Sequence, residues 1–270
     1  MSTETSFIAD VDPNQPPPPD VLPDYSRFVT EDDAPLDNFF SEKQQRLLVE
    51  PVYSAGLRTV LGRPILAAAN VGLFYIESQP AVVPDVLLSL DVQLPEDLWP
   101  RENRSYYIWR LGKPPDVAVE IVSNSVGGEA SRKPTLYARL GVSYYVVFDP
   151  MENLHQGVLR VYELRGRTYV ELEQPWLPDV GLGVTLWQGQ YEEHSAVWVR
   201  WCDSEGAVIP TGAELLVQER QRIEQERQRA EQERQRAEQE HQRAEQEYQR
   251  AERLAARLRE LGIDPEAADG

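Results

Sequence analysis

Three residues of this 270-residue chain have the types and spacing for metal-assisted cleavage of a phosphodiester: Asp85, Glu120 and Lys133. Asp85 follows Pro84 inside the apolar run Val82–Leu90. Glu120 interrupts Val117-Ala118-Val119-Glu120-Ile121-Val122. Acids in such surroundings are unusual, because an unpaired buried carboxylate is strongly disfavoured. Carboxylates from two strands suit a hard divalent cation, Mg2+ or Mn2+, and the Ile121 carbonyl is a further candidate ligand. A cationic group beside the pair would stabilise charge on a phosphate in the transition state. Lys133, four residues before Tyr137, is the candidate.

Each residue also has a plainer role open to it. Asp85 can cap a strand end, Glu120 can pair with an arginine, and Lys133 can be a surface lysine. Asp116, in a second Pro-Asp pair, is the rival for the aspartate role, and Tyr137 reads mainly as core packing. His155, His194 and His241 lack zinc-ligand spacing, and Cys202 lacks the setting of a nucleophile. Gly127-Gly128 is not followed by the Lys-Ser or Lys-Thr of a phosphate loop.

The elements that would carry these residues alternate in type. A helix is predicted from about Ser41 to Leu61, kinked or split by Pro51. Short apolar runs at Ile65–Ala69, Gly72–Glu77 and Val82–Leu90 read as strands, followed by a long loop over 91–115. Val117–Val122 is a buried strand and Ser123–Ala130 a turn. A helix from about Arg132 to Leu140 stops at Gly141, with Pro134 at its first position and Lys133 as its cap. Tyr144–Phe148 is a strand, Val158–Leu164 and Thr168–Leu172 form a hairpin about Gly166-Arg167, and Val184–Trp187 and Val197–Trp201 add edge strands. The order implies an α/β fold, a mixed sheet flanked by helices.

Composition narrows the setting. One cysteine excludes an internal disulfide framework and fits a reducing cytoplasm. No apolar run is long enough to span a membrane, and no secretion signal is apparent. The net charge of −18 is uneven: residues 1–50 hold 11 acids against 3 bases, 51–218 hold 20 against 13, and 219–260 hold 11 of each. An acidic chain is a poor non-specific coat for DNA. A metal-bridged contact is less affected, because the cation meets the phosphate. Arg101, Arg104 and Arg110, or Arg132 and Arg139, offer local basic patches.

Residues 1–37, rich in proline and acid, read as a disordered or draped arm ahead of a domain over 38–210. Residues 211–262 read as one long charged helix, and 263–270 as a disordered tail. Its seven-residue repeat aligns Ile223, Ala230, Ala237, Ala244, Ala251 and Leu258. That register suits a coiled-coil arm joining two or more copies. The other seam position holds Glu226, Glu233, Glu240 and Glu247, which suits a solvated single helix equally well. Both readings stand.

The ordered set Pro84-Asp85, Glu120-Ile121-Val122-Ser123, Lys133-x-x-x-Tyr137-Ala138-Arg139-x-Gly141-Val142-x-x-Tyr145 and Phe148-Asp149-Pro150 resembles a bacterial restriction-endonuclease-like family of the PD-(D/E)XK nuclease superfamily. The resemblance covers about residues 40–205. It implies a restriction-endonuclease-like α/β core and Mg2+-dependent hydrolysis of DNA, with Asp85 and Glu120 as metal ligands. The superfamily pattern expects lysine two residues after the glutamate, where this chain has Val122. In this family the lysine comes instead from the following helix, which matches Lys133. A catalytically silent nuclease fold, serving binding or assembly through the long helix, is the alternative reading.

Overall fold

A computed structural model describes residues 38–54, 57, 61–123 and 129–260. The arm expected over 1–37, part of the turn before the second helix and the tail expected over 263–270 lie outside the described residues. Contacts divide the chain at Gly212 into two units.

The first unit is built on a six-stranded mixed sheet of order β1-β3-β5-β6-β7-β8. Its strands are β1 (Ile65–Ala69), β3 (Val86–Leu90), β5 (Val117–Ile121), β6 (Tyr144–Phe148), β7 (Leu159–Arg165) and β8 (Thr168–Glu171). Only β5 and β6 run parallel. They are joined by helix α2 (Glu129–Leu140), the crossover that a parallel pair requires. The β7–β8 hairpin turns tightly at Gly166, whose φ of 67° suits a residue without a side chain.

Residue alternation divides the core into two layers. Val86, Leu88, Val117, Val119, Ile121, Val146 and Phe148 pack on one face of the sheet. Helix α1 (Phe39–Ser54) covers that face with Leu48 and Val52. A second sheet lies there too, formed by β9 (Trp176–Leu177), β10 (Leu182–Tyr191) and β11 (His194–Cys202). The side chain of Gln44 on α1 pairs with both backbone groups of Val199, and Trp201 donates to the Leu48 carbonyl. The opposite face carries Leu66, Leu87, Ala118, Tyr145 and Val147, covered by Tyr137 and Leu140 of α2.

Several elements differ from their predicted spans. The run at Gly72–Glu77 pairs only at β2 (Leu73–Phe74), with β4 (Tyr106–Tyr107). Tyr106–Tyr107 and a helical turn at Ile108–Leu111 fall inside the expected loop. The predicted edge strands form their own sheet, because β10 and β11 pair over their whole length. Helix α2 begins at Glu129, so Lys133 lies inside it and is not its cap. Pro134 is accommodated within the second turn, where its missing N–H forfeits one intrahelical bond.

Helix α2 stops as expected. Gly141 has φ 83°, its N–H donates to the Ala138 carbonyl, and Val142 N–H donates to the Tyr137 carbonyl. This double closure is a Schellman cap, and Val142 is fully buried beside it.

The second unit is dominated by helix α3 (Gly212–Glu260). None of its residues is buried, and ion pairs such as Arg234–Glu231 and Arg222–Glu226 line its surface. Its composition of glutamate, glutamine, arginine and alanine favours helix without a packed face.

Candidate active site

The site grows out of strand register. The antiparallel ladder of β3 and β5 ends at Val86 opposite Val119. One step further, Asp85 stands opposite Glu120. Both alternate onto the face that α2 covers, with Leu87 and Ala118 as same-face neighbours. The Asp85 carbonyl accepts the Asn70 N–H beyond the end of β1, and its side chain turns to β5, where Oδ2 accepts the Ile121 N–H at 2.5 Å. A carboxylate at a strand end is thereby held rigidly at its neighbour's edge.

Glu120 is gripped from α2. Lys133 Nζ donates to Oε2 at 2.8 Å, and the Tyr137 hydroxyl donates to Oε1 at 2.7 Å. Lys133 also donates to the Val83 carbonyl at 3.1 Å, which ties α2 to the segment leading into Asp85. Lys133 and Tyr137 are four residues apart, so helical geometry places them on one face, each aimed at one oxygen. The structure therefore brings Asp85, Glu120 and Lys133 together.

Electrostatics follow from this packing. Burial pushes the Glu120 carboxyl up to about 7, and the nearby Asp85 charge adds to that rise. The Lys133 ammonium and the two hydrogen bonds oppose it without cancelling it. Burial and the adjacent Glu120 drive the Tyr137 phenol far above its ordinary value, so it acts as a donor.

The donor set fits a hard divalent cation. A carboxylate has about four acceptor positions, and Glu120 uses one on each oxygen for Lys133 and Tyr137. Mg2+ commonly takes one or two carboxylates and completes its shell with water and substrate oxygens. Among the described residues there is no group of three or more His, Cys, Asp or Glu suited to hold a metal. Two carboxylates and backbone oxygen are what this site offers.

The rival aspartate is structural. Asp116 Oδ2 accepts the Leu90 N–H at 2.7 Å and pairs with Lys113 at 2.6 Å. It lies before the opposite end of β5, about 13 Å from Glu120 at ordinary strand rise. Asp149, fully buried, accepts the N–H groups of Asn153 and Leu154 and so braces a turn. Tyr137 is the site residue that sequence reading undervalued. Its spacing from Lys133 was the available signal, but an aromatic residue on a helix gives no hint that its hydroxyl reaches a carboxylate.

A family model described as "Uma2: Putative restriction endonuclease" matches residues 31–188. The chain belongs to the Uma2 family. That span contains both candidate carboxylates and Lys133, with every strand of the large sheet. Among solved structures, one similar chain is described as a "putative nuclease belonging to DUF820 from Anabaena variabilis ATCC 29413". It is 18% identical, with 54% of this chain and 76% of that chain covered and a TM-score of 0.36. No curated protein gives a significant match. The fold is the mixed α/β arrangement expected of a restriction-endonuclease-like family, here with a long C-terminal helix. Among the described residues, no helix is long and apolar enough to cross a membrane.

Proposed function

We propose that this Uma2 protein is a metal-dependent endonuclease that hydrolyses phosphodiester bonds of DNA. The observation that carries the reading is the opposition of Asp85 and Glu120 on adjacent strands, with Lys133 bonded to Glu120. Asp85 and Glu120 would hold Mg2+ or Mn2+, with the Ile121 carbonyl as a further ligand. The bound cation supplies a Lewis acid for the phosphate and lowers the pKa of its water. Asp85 is oriented by the Ile121 N–H, so its carboxylate needs no rearrangement to bind. Lys133 keeps positive charge beside Glu120, where negative charge grows on the phosphate. Tyr137 fixes the rotamer of Glu120 and shields its inner side from water.

The concrete test is nicking of supercoiled plasmid with Mg2+ or Mn2+, comparing wild type with Asp85→Ala, Glu120→Ala and Lys133→Ala. Loss of nicking in all three supports the assignment, and nicking that survives all three overturns it.

A second reading, a catalytically silent nuclease fold used for binding or assembly, draws on Val122 at the position where the wider superfamily has lysine. Calorimetric titration with Mg2+ separates the two, since a silent site shows no heat that depends on Asp85 and Glu120. In either reading, the heptad pattern of α3 supports weak self-association, and the lone cysteine supports a cytoplasmic setting.

A further inference from the structure

The α2-facing side of the sheet carries a second feature beside the carboxylates. A cavity of about 490 Å³ opens over β1 and β3, floored by Leu66, Ala68 and Leu87. Its volume lies in the range of small-molecule sites. Leu87 is two residues from Asp85 on the same face of β3, about 7 Å along the strand. The cavity and the proposed cleavage site therefore adjoin along one strand.

The outer wall comes from the segment between β3 and β5, chiefly Leu98 and Trp99. Trp99 is 82% exposed and Leu98 49% exposed. With Leu94, 44% exposed, they line one cavity as an apolar patch, and it is such patches that mark interaction surfaces. The backbone at Trp99 is held on both sides: Trp99 N–H donates to Asp97 Oδ1 at 2.9 Å, and Arg104 Nε donates to the Trp99 carbonyl at 2.7 Å. The segment thus presents an indole on a braced backbone. Arg101, Arg104 and Arg110 accompany it, and residues 91–115 balance acid with base in a domain that is otherwise acidic.

An exposed aromatic among arginines, beside an apolar recess, is the surface that stacks an unpaired base while cations meet the backbone. We propose that this cavity receives an unpaired nucleobase of the strand whose phosphodiester lies at Asp85 and Glu120. The inference rests on the nuclease reading and specifies its substrate as single-stranded or locally opened nucleic acid. Base identity matters little where the lining is mainly apolar, as with Leu66, Ala68, Leu87, Leu94, Leu98 and Trp99, and the Asn103 amide at the wall bonds inward, Nδ2 to the Asp97 carbonyl and Oδ1 from Arg110. Stacking and apolar burial, which every base offers, remain.

The test is fluorescence anisotropy of the full chain in EDTA, where no cleavage occurs. The probes are fluorescein-labelled single-stranded oligothymidylate and a blunt duplex of the same length. The single strand binds more tightly than the duplex, and Trp99→Ala weakens strand binding about tenfold, the size expected for one stacked base. Trp99→Phe keeps most of the affinity. Oligonucleotides bearing one 5-iodouracil crosslink to Trp99 or to the cavity floor on irradiation. Equal strand affinity for wild type and Trp99→Ala overturns the proposal, as does tighter binding of the duplex. A loss of self-association in Trp99→Ala with unchanged strand affinity also overturns it, in favour of an interface between copies. Plasmid nicking that survives the Asp85 and Glu120 substitutions would refute the metal site instead, without altering the Trp99 result.

Discussion

Lys133 and Tyr137, one helical turn apart on α2, each hold one oxygen of the Glu120 carboxylate. This double grip explains how an acid survives among Val119, Ile121 and Tyr145. It also makes the charge of Glu120 depend on two residues of another element. The consequences are measurable.

Removing the carboxylates one at a time tests the site without dismantling the fold. Asp85→Asn and Glu120→Gln keep size and lose charge, and each lowers Mg2+-dependent nicking by about a hundredfold or more, a few kcal/mol of lost transition-state stabilisation. Circular dichroism and thermal melting report retained folding. Near-normal nicking by either variant would remove that carboxylate from the site.

Stability should depend on pH through Glu120. Its folded-state value, about 7, lies above the ordinary 4.5, so folding favours the protonated form. This contribution is complete below about 4.5 and is lost as pH rises through about 7. The amount at stake is about 3 kcal/mol. Glu120→Gln lacks this titration. The difference in urea midpoint between wild type and Glu120→Gln therefore shifts in favour of the variant between pH 4.5 and 8. A constant difference across that window would show that Glu120 titrates normally.

Metal binding should release protons. With Glu120 near 7 in the metal-free protein, Mg2+ must displace a proton at lower pH. Affinity rises with pH up to about 7 and then levels off. Calorimetry at pH 6.5 in two buffers of different ionisation enthalpy gives different apparent heats. Identical heats would contradict the coupling.

Tyr137→Phe and Lys133→Met separate the two halves of the grip. Each partner lowers the Glu120 value, so losing either raises it further. The pH at which Mg2+ affinity levels off, read by calorimetry, moves upward in both variants. Tyr137→Phe also destabilises the fold by about 1–3 kcal/mol, since it deletes a buried bond to a charged group. An unmoved plateau in both variants would uncouple these residues from Glu120.

Gly141→Ala tests the element that aims the grip. At φ 83° a side chain is strained, and the substitution costs about 1 kcal/mol. Denaturant melts measure the loss.

Much of this arrangement was legible in the sequence because it is written in local periodicity. Ile65–Ala69, Val117–Ile121 and Tyr144–Phe148 show as apolar runs, Gly141 marks a helix end, and the seven-residue repeat declares α3. Asp85 and Glu120 stand out because strand interiors disfavour lone acids. Other features depend on partners distant in the chain. The start of α2 at Glu129 overrode the preference of Pro134 for the first helical position. Val184–Trp187 and Val197–Trp201 became part of a separate sheet once β10 and β11 paired at full length. The hydroxyl of Tyr137 and the indole of Trp99 carry no local mark of their surroundings. The sequence by itself determined which residues are out of place in an apolar core, because burial preference belongs to each residue. Only the tertiary structure decided that Asp85 and Glu120 face each other and that Lys133 reaches Glu120. Register across β3 and β5 and the placing of α2 over them arise from contacts that no local pattern records.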